Sequence, residues 1–268
     1  MFDCKLICTD IDGTLLNSEH RISEENKKAI QLAVSKNILV SLVSGRIAGS
    51  LAVLQRELGI TGPLGCYSGS LVLDGEEILA SHPITNDQAR RILASLASSG
   101  LQAIIFGKDQ WFIDTRGKWH DKEANVSQYP GKVCNFASLL DTWDKEGKTP
   151  YKILCMSEDT TLVQEAELRL HPLFSCELNI FRSSPHYLEI SAKGIDKGHA
   201  VHAICKKYGF SPSQVMAVGD FYNDLGMFRE AGYSVAMGNA PSDIKSQADT
   251  VTLSNNEHGL AVAIQAIL

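Results

Sequence analysis

Apolar and polar positions along the chain alternate between two periods. Short runs such as residues 4–9 (CKLICT), 38–43 (ILVSLV) and 64–67 are almost continuously apolar, as strands covered on both faces are. Between them the apolar residues recur at helical spacing. The pattern predicts a helix from Ser23 to about Lys36, with Ile30 and Val34 on one face, and a second from Ile47 to Leu58 closed by Gly59. Residues 70–73 and 77–80 flank D-G-E-E and read as a hairpin. The last third repeats the order: a helix from Asp196 to Tyr208 with Gly209 behind it, a strand at 215–218, a helix from about Asn223 to Glu230, a strand at 233–236 and a helix over 256–267. This alternation predicts an α/β fold, a Rossmann-like parallel sheet with helices on both faces.

The middle of the chain has a different rhythm. Thr85 followed by Gln88 forms a capping-box start for a helix reaching about Ser98. Strands at 101–106 and 110–114 join around G-K-D, and a less regular stretch follows to about Gly147, holding Trp111, Trp119 and Trp143. Then come a strand at 151–156, a helix at 159–170 and strands at 176–181 and 186–190. A helix with paired strands, twice, predicts an inserted α+β domain. The expected division is a discontinuous core of residues 1–82 and 189–268 and an insertion of 83–188, with the return crossing near Ser191–Gly194.

Length and composition fit this division. At 268 residues the chain has room for two domains, and 44% apolar with 21% charged residues is a globular balance. Apolar runs stop at about five residues, far short of the roughly 20 a membrane helix needs. The first ten residues carry acidic groups and no long apolar stretch, which argues against a secretory signal. A net charge of −6 without a basic run argues against nucleic-acid binding. Seven cysteines, an odd number with no C-x-x-C pair, read as small apolar side chains in a reducing, cytoplasmic compartment.

Candidate chemistry collects at the ends of the predicted strands. Asp10 and Asp12 stand in T-D-I-D-G-T after the first strand, where ligands of open α/β sheets bind. Ser44-Gly45-Arg46 ends the second strand and leads into a helix, and Asp220, Asn223 and Asp224 follow the strand at 215–218. Taken singly, each has an ordinary role: an acidic turn, a capping serine, a helix cap. Lys197 opens the helix after the insertion, an unfavourable place for a cation in the helix field. Together they form an oxygen-rich, histidine-free set that suits Mg²⁺ before Zn²⁺, and Mg²⁺ with a lysine and N–H donors suits a phosphoryl group that an aspartate attacks. In the insertion, Trp111, Trp119, Trp143 and Tyr187 are expected in the core or an interface, and His120 in a solvated loop.

These residues, in this order, resemble the four motifs of the haloacid dehalogenase-like hydrolases, and most closely the Cof-type phosphatases with a large α/β cap. V-A-M-G-N-A (235–240), A-D (248–249) and N-N-E-H-G-L-A (255–261) extend the resemblance over the whole core. It implies that Asp10 is the nucleophile and a metal ligand. Asp12 is then the general acid/base, holding the metal through its backbone carbonyl. Ile11, Ser44, Gly45, Lys197 and Asn223 bind the phosphoryl group, and Asp220 completes the Mg²⁺ site, with Asp224 orienting its surroundings or binding the metal through water. The implied activity is hydrolysis of small phosphorylated metabolites, sugar phosphates or nucleotide-like cofactors, through an aspartyl-phosphate. Alternatives are a phosphomutase or phosphotransferase sharing that intermediate, or a non-catalytic regulator. The implied partner is a small metabolite, not nucleic acid or membrane, and the chain a monomer or weak homodimer with the cap selecting the substrate. The sequence departs from the family pattern at Ser44, at Ser68-Gly69-Ser70, at Phe221 and at Gly226, none of which removes a catalytic group.

Overall fold

The structure, a computed structural model, describes residues 2–268. In chain order the first stretch holds β1 (Leu6–Thr9), α1 (Glu24–Ser35), β2 (Leu39–Val43), α2 (Ala48–Leu58), β3 (Leu64–Cys66), β4 (Leu71–Asp74) and β5 (Glu77–Ser81). The insertion adds α3 (Asn86–Leu96), β6 (Gln102–Phe106), β7 (Trp111–Ile113), α4 (Lys118–Ser127), β8 (Lys132–Val133) and α5 (Phe136–Glu146). It continues with β9 (Lys152–Met156), α6 (Thr160–Phe174), β10 (Leu178–Ser184) and β11 (Tyr187–Ala192). The return supplies α7 (Gly198–Tyr208), β12 (Val215–Gly219), α8 (Leu225–Glu230), β13 (Tyr233–Ala236), α9 (Ser242–Lys245), β14 (Thr250–Val251) and α10 (Gly259–Gln265).

These elements form two compact units, one of residues up to Arg46, 51–81 and 196–268, the other of 47–50 and 82–195. The expected restart of the core at residue 189 comes seven residues too early. β11 pairs with β9 as far as Ser191 and with β10 as far as Ala192, so its whole length belongs to the insertion's sheet. Only the turn after Gly194, at a φ of +73°, releases the chain.

In the first unit eight strands run in the order β14-β13-β12-β1-β2-β3-β4-β5. All pairs from β14 to β3 are parallel, and the β3–β4–β5 end is antiparallel. The chain leaves β1 toward β2 on one side and later fills β12 on the other, so a switch in strand order falls at β1. That is where an open sheet splays its loops apart and leaves a crevice. The short apolar runs explain the central strands: every residue of β1 and β12 is buried. On one face Leu6, Cys8, Val215 and Ala217 pack with Val201 and Ile204 of α7 and Met227 of α8. α1 packs on β2 and on α10, burying Ala29, Ile30 and Ala33. Val34, expected beside Ile30, lies outside this face and is 37% exposed.

The inserted unit is a six-stranded sheet, β10-β11-β9-β6-β7-β8, antiparallel apart from β7–β8. Ile105, Ile153 and Ile190 bury one face under Ile92 of α3, Leu140 of α5, and Val163 and Leu170 of α6. The stretch expected to be irregular contains two helices. α5 is bounded by ordinary signals, an Asn135 side chain accepting from the Ser138 N–H and Gly147 in the left-handed region. α4 has no such start: Gly117 precedes it without a side-chain cap. Trp111, Trp119 and Trp143 are buried as expected. His120 is not a solvated loop residue: it sits on α4, buried, its ring 5.3 Å from that of Trp111.

Three further boundaries differ. α6 passes residue 170 and runs to Phe174, tolerating Pro172. Residues 223–224 belong to a 3₁₀ turn, Tyr222–Asp224, that precedes α8. The helix expected over 256–267 is broken at His258, whose φ of +59° separates a 3₁₀ turn from α10. The short β14 and α9 left no periodic signal. Five cysteines are buried and all seven are free thiols; among the described residues no helix is long and apolar enough to cross a membrane.

Candidate active site

Three strand ends and one helix start supply the site. Asp10 follows β1 and its N–H donates to Val218 O at 3.0 Å, which fixes it against β12. Ser44 follows β2, Asp220 follows β12, and Lys197 immediately precedes α7. Lys197 is completely buried, and its Nζ donates to Asp10 Oδ1 and, at 2.6 Å, to Asp224 Oδ1. Oxygens of Asp10, Asp220 and Asp224 lie within 4.8 Å of one another. One ammonium therefore faces three carboxylates.

Local backbone shape makes that crowding possible. Gly13 has a φ of +85°, and a side chain there would overlap the Asp220 carboxylate. A Cβ on Gly219 would lie 2.5 Å from Asp224 Cγ. The glycines of D-G-T and V-G-D thus leave room for the acids. Asp220 is held by Thr14 Oγ1 at 3.2 Å and Asn239 Nδ2 at 3.1 Å; the same amide donates to Gly13 O at 3.0 Å. Asn255 donates its N–H to Asn239 Oδ1 at 2.9 Å and its Nδ2 to Leu16 O at 2.9 Å. V-A-M-G-N-A and N-N-E-H-G-L-A therefore brace Asp220 and the turn at Gly13, a function that their residue types alone did not announce.

Each expected site residue has a definite place. Asp224 is fully buried and spends its other oxygen on the N–H groups of Asp220 and Phe221, at 2.8 and 3.0 Å. Asp12 stands apart from the acidic cluster: its carboxylate is about half exposed and pairs with Arg46, Nε to Oδ2 at 2.9 Å. Arg46, given no role in the sequence reading, is the residue that orients it. Ser44 is buried; its N–H donates to Gly65 O at 2.8 Å and its carbonyl accepts the Ser68 N–H at 2.9 Å. Gly45 lies between Ser44 and Arg46. Ile11 is buried, and its carbonyl accepts the Leu16 N–H at 2.9 Å. Asn223 is exposed on its 3₁₀ turn. Tyr67, Ser68 and Gly69 are all left-handed, at φ of 51°, 55° and 92°, a conformation that serine adopts less readily than asparagine.

The electrostatics follow from burial. Removal from water, together with Asp224 and Asp220, pushes the Asp10 carboxyl well above the usual range, against the pull of Lys197. Burial and then Asp224 raise Asp220 to about 6. Burial opposes the charge on Lys197, but Asp10 and Asp224 outweigh it and hold the ammonium above its ordinary value. Such a cluster lacks positive charge. Its donors are all oxygen, without histidine or thiolate, which suits a hard cation such as Mg²⁺. Asp10, Asp220 and Asp224 are the side chains whose oxygens lie close enough together to hold one.

A haloacid dehalogenase-like hydrolase family model matches residues 7–264. 5-Amino-6-(5-phospho-D-ribitylamino)uracil phosphatase YcsE of Bacillus subtilis (strain 168) is 32% identical over 263 residues, 98% of this chain and 95% of the relative. Phosphatase YwpJ of the same organism is 31% identical over 288 residues, 98% of this chain and 100% of the relative. Among solved structures, a haloacid dehalogenase-like hydrolase from Bacteroides thetaiotaomicron superposes with a TM-score of 0.91 at 28% identity, covering 99% of this chain and 100% of that one. An all-oxygen acidic cluster around a buried lysine at the switch point of a parallel sheet, and relatives matched from end to end, lead to one assignment: the chain belongs to the haloacid dehalogenase-like hydrolases.

Proposed function

We propose that the chain is a Mg²⁺-dependent phosphatase that hydrolyses phosphomonoesters of small metabolites through a phosphorylated Asp10. The observation that carries this reading is the buried Lys197 held between Asp10 and Asp224 beside Asp220. The ammonium offsets the charge of the attacking carboxylate and keeps it aimed. Ser44 Oγ and the N–H groups of Ile11 and Gly45 receive the phosphoryl oxygens, with Lys197 and Asn223 alongside, as preorganised donors do for developing charge. An Asp10 oxygen attacks phosphorus as the bond to the leaving oxygen breaks, and Asp12, steadied by Arg46, gives that oxygen its proton. Asp12 then takes a proton from water as the water oxygen attacks phosphorus, which releases phosphate and regenerates the Asp10 carboxylate. Asp10, Asp220 and the Asp12 carbonyl would hold the Mg²⁺, whose charge offsets repulsion between carboxylate and phosphate dianion. Asp224 serves as the anchor of the turn and of Lys197.

The relatives' names direct the choice of substrates. YcsE is named for a phosphoribityl compound, so that compound and sugar phosphates head a panel of phosphorylated metabolites to be assayed with Mg²⁺. Release of phosphate from at least one of them is expected, and none from any would contradict the reading. The free cysteines fit a reducing, cytoplasmic setting.

A pH dependence of metal binding follows from Asp220. Its folded value of about 6 lies above the ordinary 3.8, so the metal-free folded chain holds this proton more tightly than the unfolded chain does. Its contribution to stability therefore falls as pH rises from about 4 through 6. A cation needs the deprotonated carboxylate and gains over the same range. The rise in unfolding midpoint caused by Mg²⁺ is expected to be larger at about pH 7.5 than at about pH 5, and to vanish in Asp220→Asn. An equal rise at both pH values, or one that survives the substitution, would remove Asp220 from the metal site.

A further inference from the structure

Asp196, immediately before Lys197, joins three segments of the first unit. Its Oδ1 accepts the Gly198 N–H at 2.9 Å at the start of α7, and its carbonyl accepts the His199 N–H at 3.0 Å. Across the gap to α8, Arg229 Nη2 donates to its Oδ2 at 2.7 Å. On the far side Gly69, left-handed at +92°, lies so close to the Asp196 carbonyl that a side chain there would overlap it. Two more glycines complete the contact. A Cβ on Gly226 would lie 2.5 Å from Asp196 Cγ, and one on Gly198 would lie 2.6 Å from Gly226 O.

The consequence is a backbone-to-backbone approach of α7 and α8. α8 begins one residue after Asp224, and Lys197 stands one residue before α7. The separation of the two helix starts therefore sets how Lys197 Nζ meets Asp224, and through it Asp10. Lys197 itself works against this arrangement, because a cation at a helix N-terminus opposes the dipole and Lys197 has no capping side chain. Asp196 supplies the missing negative charge and the missing acceptor. Its pairing with Arg229 is the lesser part: the two side chains are 40% and 65% exposed, where an ion pair contributes little. Contact with the Gly198 N–H and with the bare Gly226 backbone does the positioning.

We infer that Asp196 is a positioning residue for the phosphatase reaction, fixing Lys197 at the nucleophile by seating the start of α7 on α8 at Gly226. The inference rests on the role of Lys197 proposed above. Its test is steady-state hydrolysis of p-nitrophenyl phosphate with Mg²⁺, well below the unfolding midpoint, by Asp196→Ala, Asp196→Asn, Gly226→Ala, the double variant D196A/G226A, and Lys197→Ala. Asp196→Ala is expected to lower kcat about 10- to 100-fold with KM within about 3-fold, the scale of a misplaced catalytic group. Asp196→Asn, which keeps an oxygen for the Gly198 N–H, is expected to retain kcat within about 3-fold. Gly226→Ala drives a methyl into the Asp196 carboxylate and is expected to lower kcat as well. That carboxylate is absent from the double variant, so its kcat is expected to be no lower than that of the worse single variant.

A purely structural role would lower the melting temperature of Asp196→Ala and leave its kcat at the wild-type value; that result overturns the inference. So do multiplicative losses in the double variant. If Asp196→Ala does not fold, unchanged kcat in Gly226→Ala overturns it equally. Lys197→Ala separates the two levels: full activity there removes the role of Lys197, whereas an inactive Lys197→Ala beside a fully active Asp196→Ala removes only that of Asp196.

Discussion

Replacing Asp10 by asparagine is expected to abolish phosphatase activity while leaving the chain folded and, without Mg²⁺, at least as stable as the wild type. The loss should reach roughly 10⁴-fold or more, the scale on which an enzyme falls when its nucleophile is removed. Asparagine fills the same volume at the end of β1 and keeps an oxygen for Lys197. It also removes a carboxylate whose pKa burial and the neighbouring Asp224 and Asp220 push upward. The substitution thus strips out the chemistry and an unfavourable charge together. Activity on p-nitrophenyl phosphate and the thermal unfolding midpoint with and without Mg²⁺ check both halves. Substantial Mg²⁺-dependent turnover in the variant would show that Asp10 is not the nucleophile. A clear drop in metal-free stability would show that its charge supports the fold, contrary to the electrostatics of the cluster.

Lys197→Met is expected to produce the largest loss of stability of any single change in the site. The side chain is fully buried and is the ammonium shared by Asp10 and Asp224. Removing one member of a buried ionic set leaves the others uncompensated, a cost of about 3–5 kcal/mol. Methionine preserves most of the volume, so the loss reports charge more than packing. The effect has a pH signature with a definite sign. Lys197 is held above its ordinary value by the two acids, so in the wild type its stabilising contribution persists until pH climbs past the usual lysine range. In the variant Asp10 escapes its burial only by taking up a proton, which is easy at low pH and hard at high pH. The gap in unfolding free energy between wild type and variant should widen from about pH 5 to about pH 8, and adding Asp224→Asn should recover part of it. Urea denaturation at the two pH values measures this. A gap that is constant, or narrower at high pH, would mean that Asp10 is neutral in the wild type and that Lys197 compensates the charge of Asp224 alone.

Most of the core was readable because its signals are local. β1, β2 and β12 are almost continuously apolar runs in a fold that buries strands on both faces, and Thr85 and Gln88 form the capping box that their spacing announced. The site residues stood directly behind those strands, so locating the strands located the acids. What escaped was settled by tertiary contacts. α4 begins without a cap and is held through buried Trp119 and His120, so its polar sequence looked like loop. α6 runs past its expected end at residue 170 and through Pro172 because Phe174 packs into the core of the insertion. The boundary at residue 189 failed because nothing in S-A-K-G says that Ser191 and Ala192 still pair with β9 and β10. Arg46, Asn239 and Asn255 escaped for a similar reason. Arg46 reaches Asp12 across 34 residues, Asn239 reaches Asp220 across 19 and Asn255 steadies Asn239 across 16, and no spacing rule encodes such pairings.

The central claim, that Asp10 becomes covalently phosphorylated, is open to a direct measurement. The enzyme is mixed with Mg²⁺ and a saturating phosphomonoester, quenched in acid during turnover, reduced with borohydride, which converts an aspartyl-phosphate to homoserine, and digested for mass spectrometry. The expected result is homoserine at position 10, present with substrate and absent without it. Homoserine at another aspartate, or none at all from an enzyme quenched while turning over, would contradict the account.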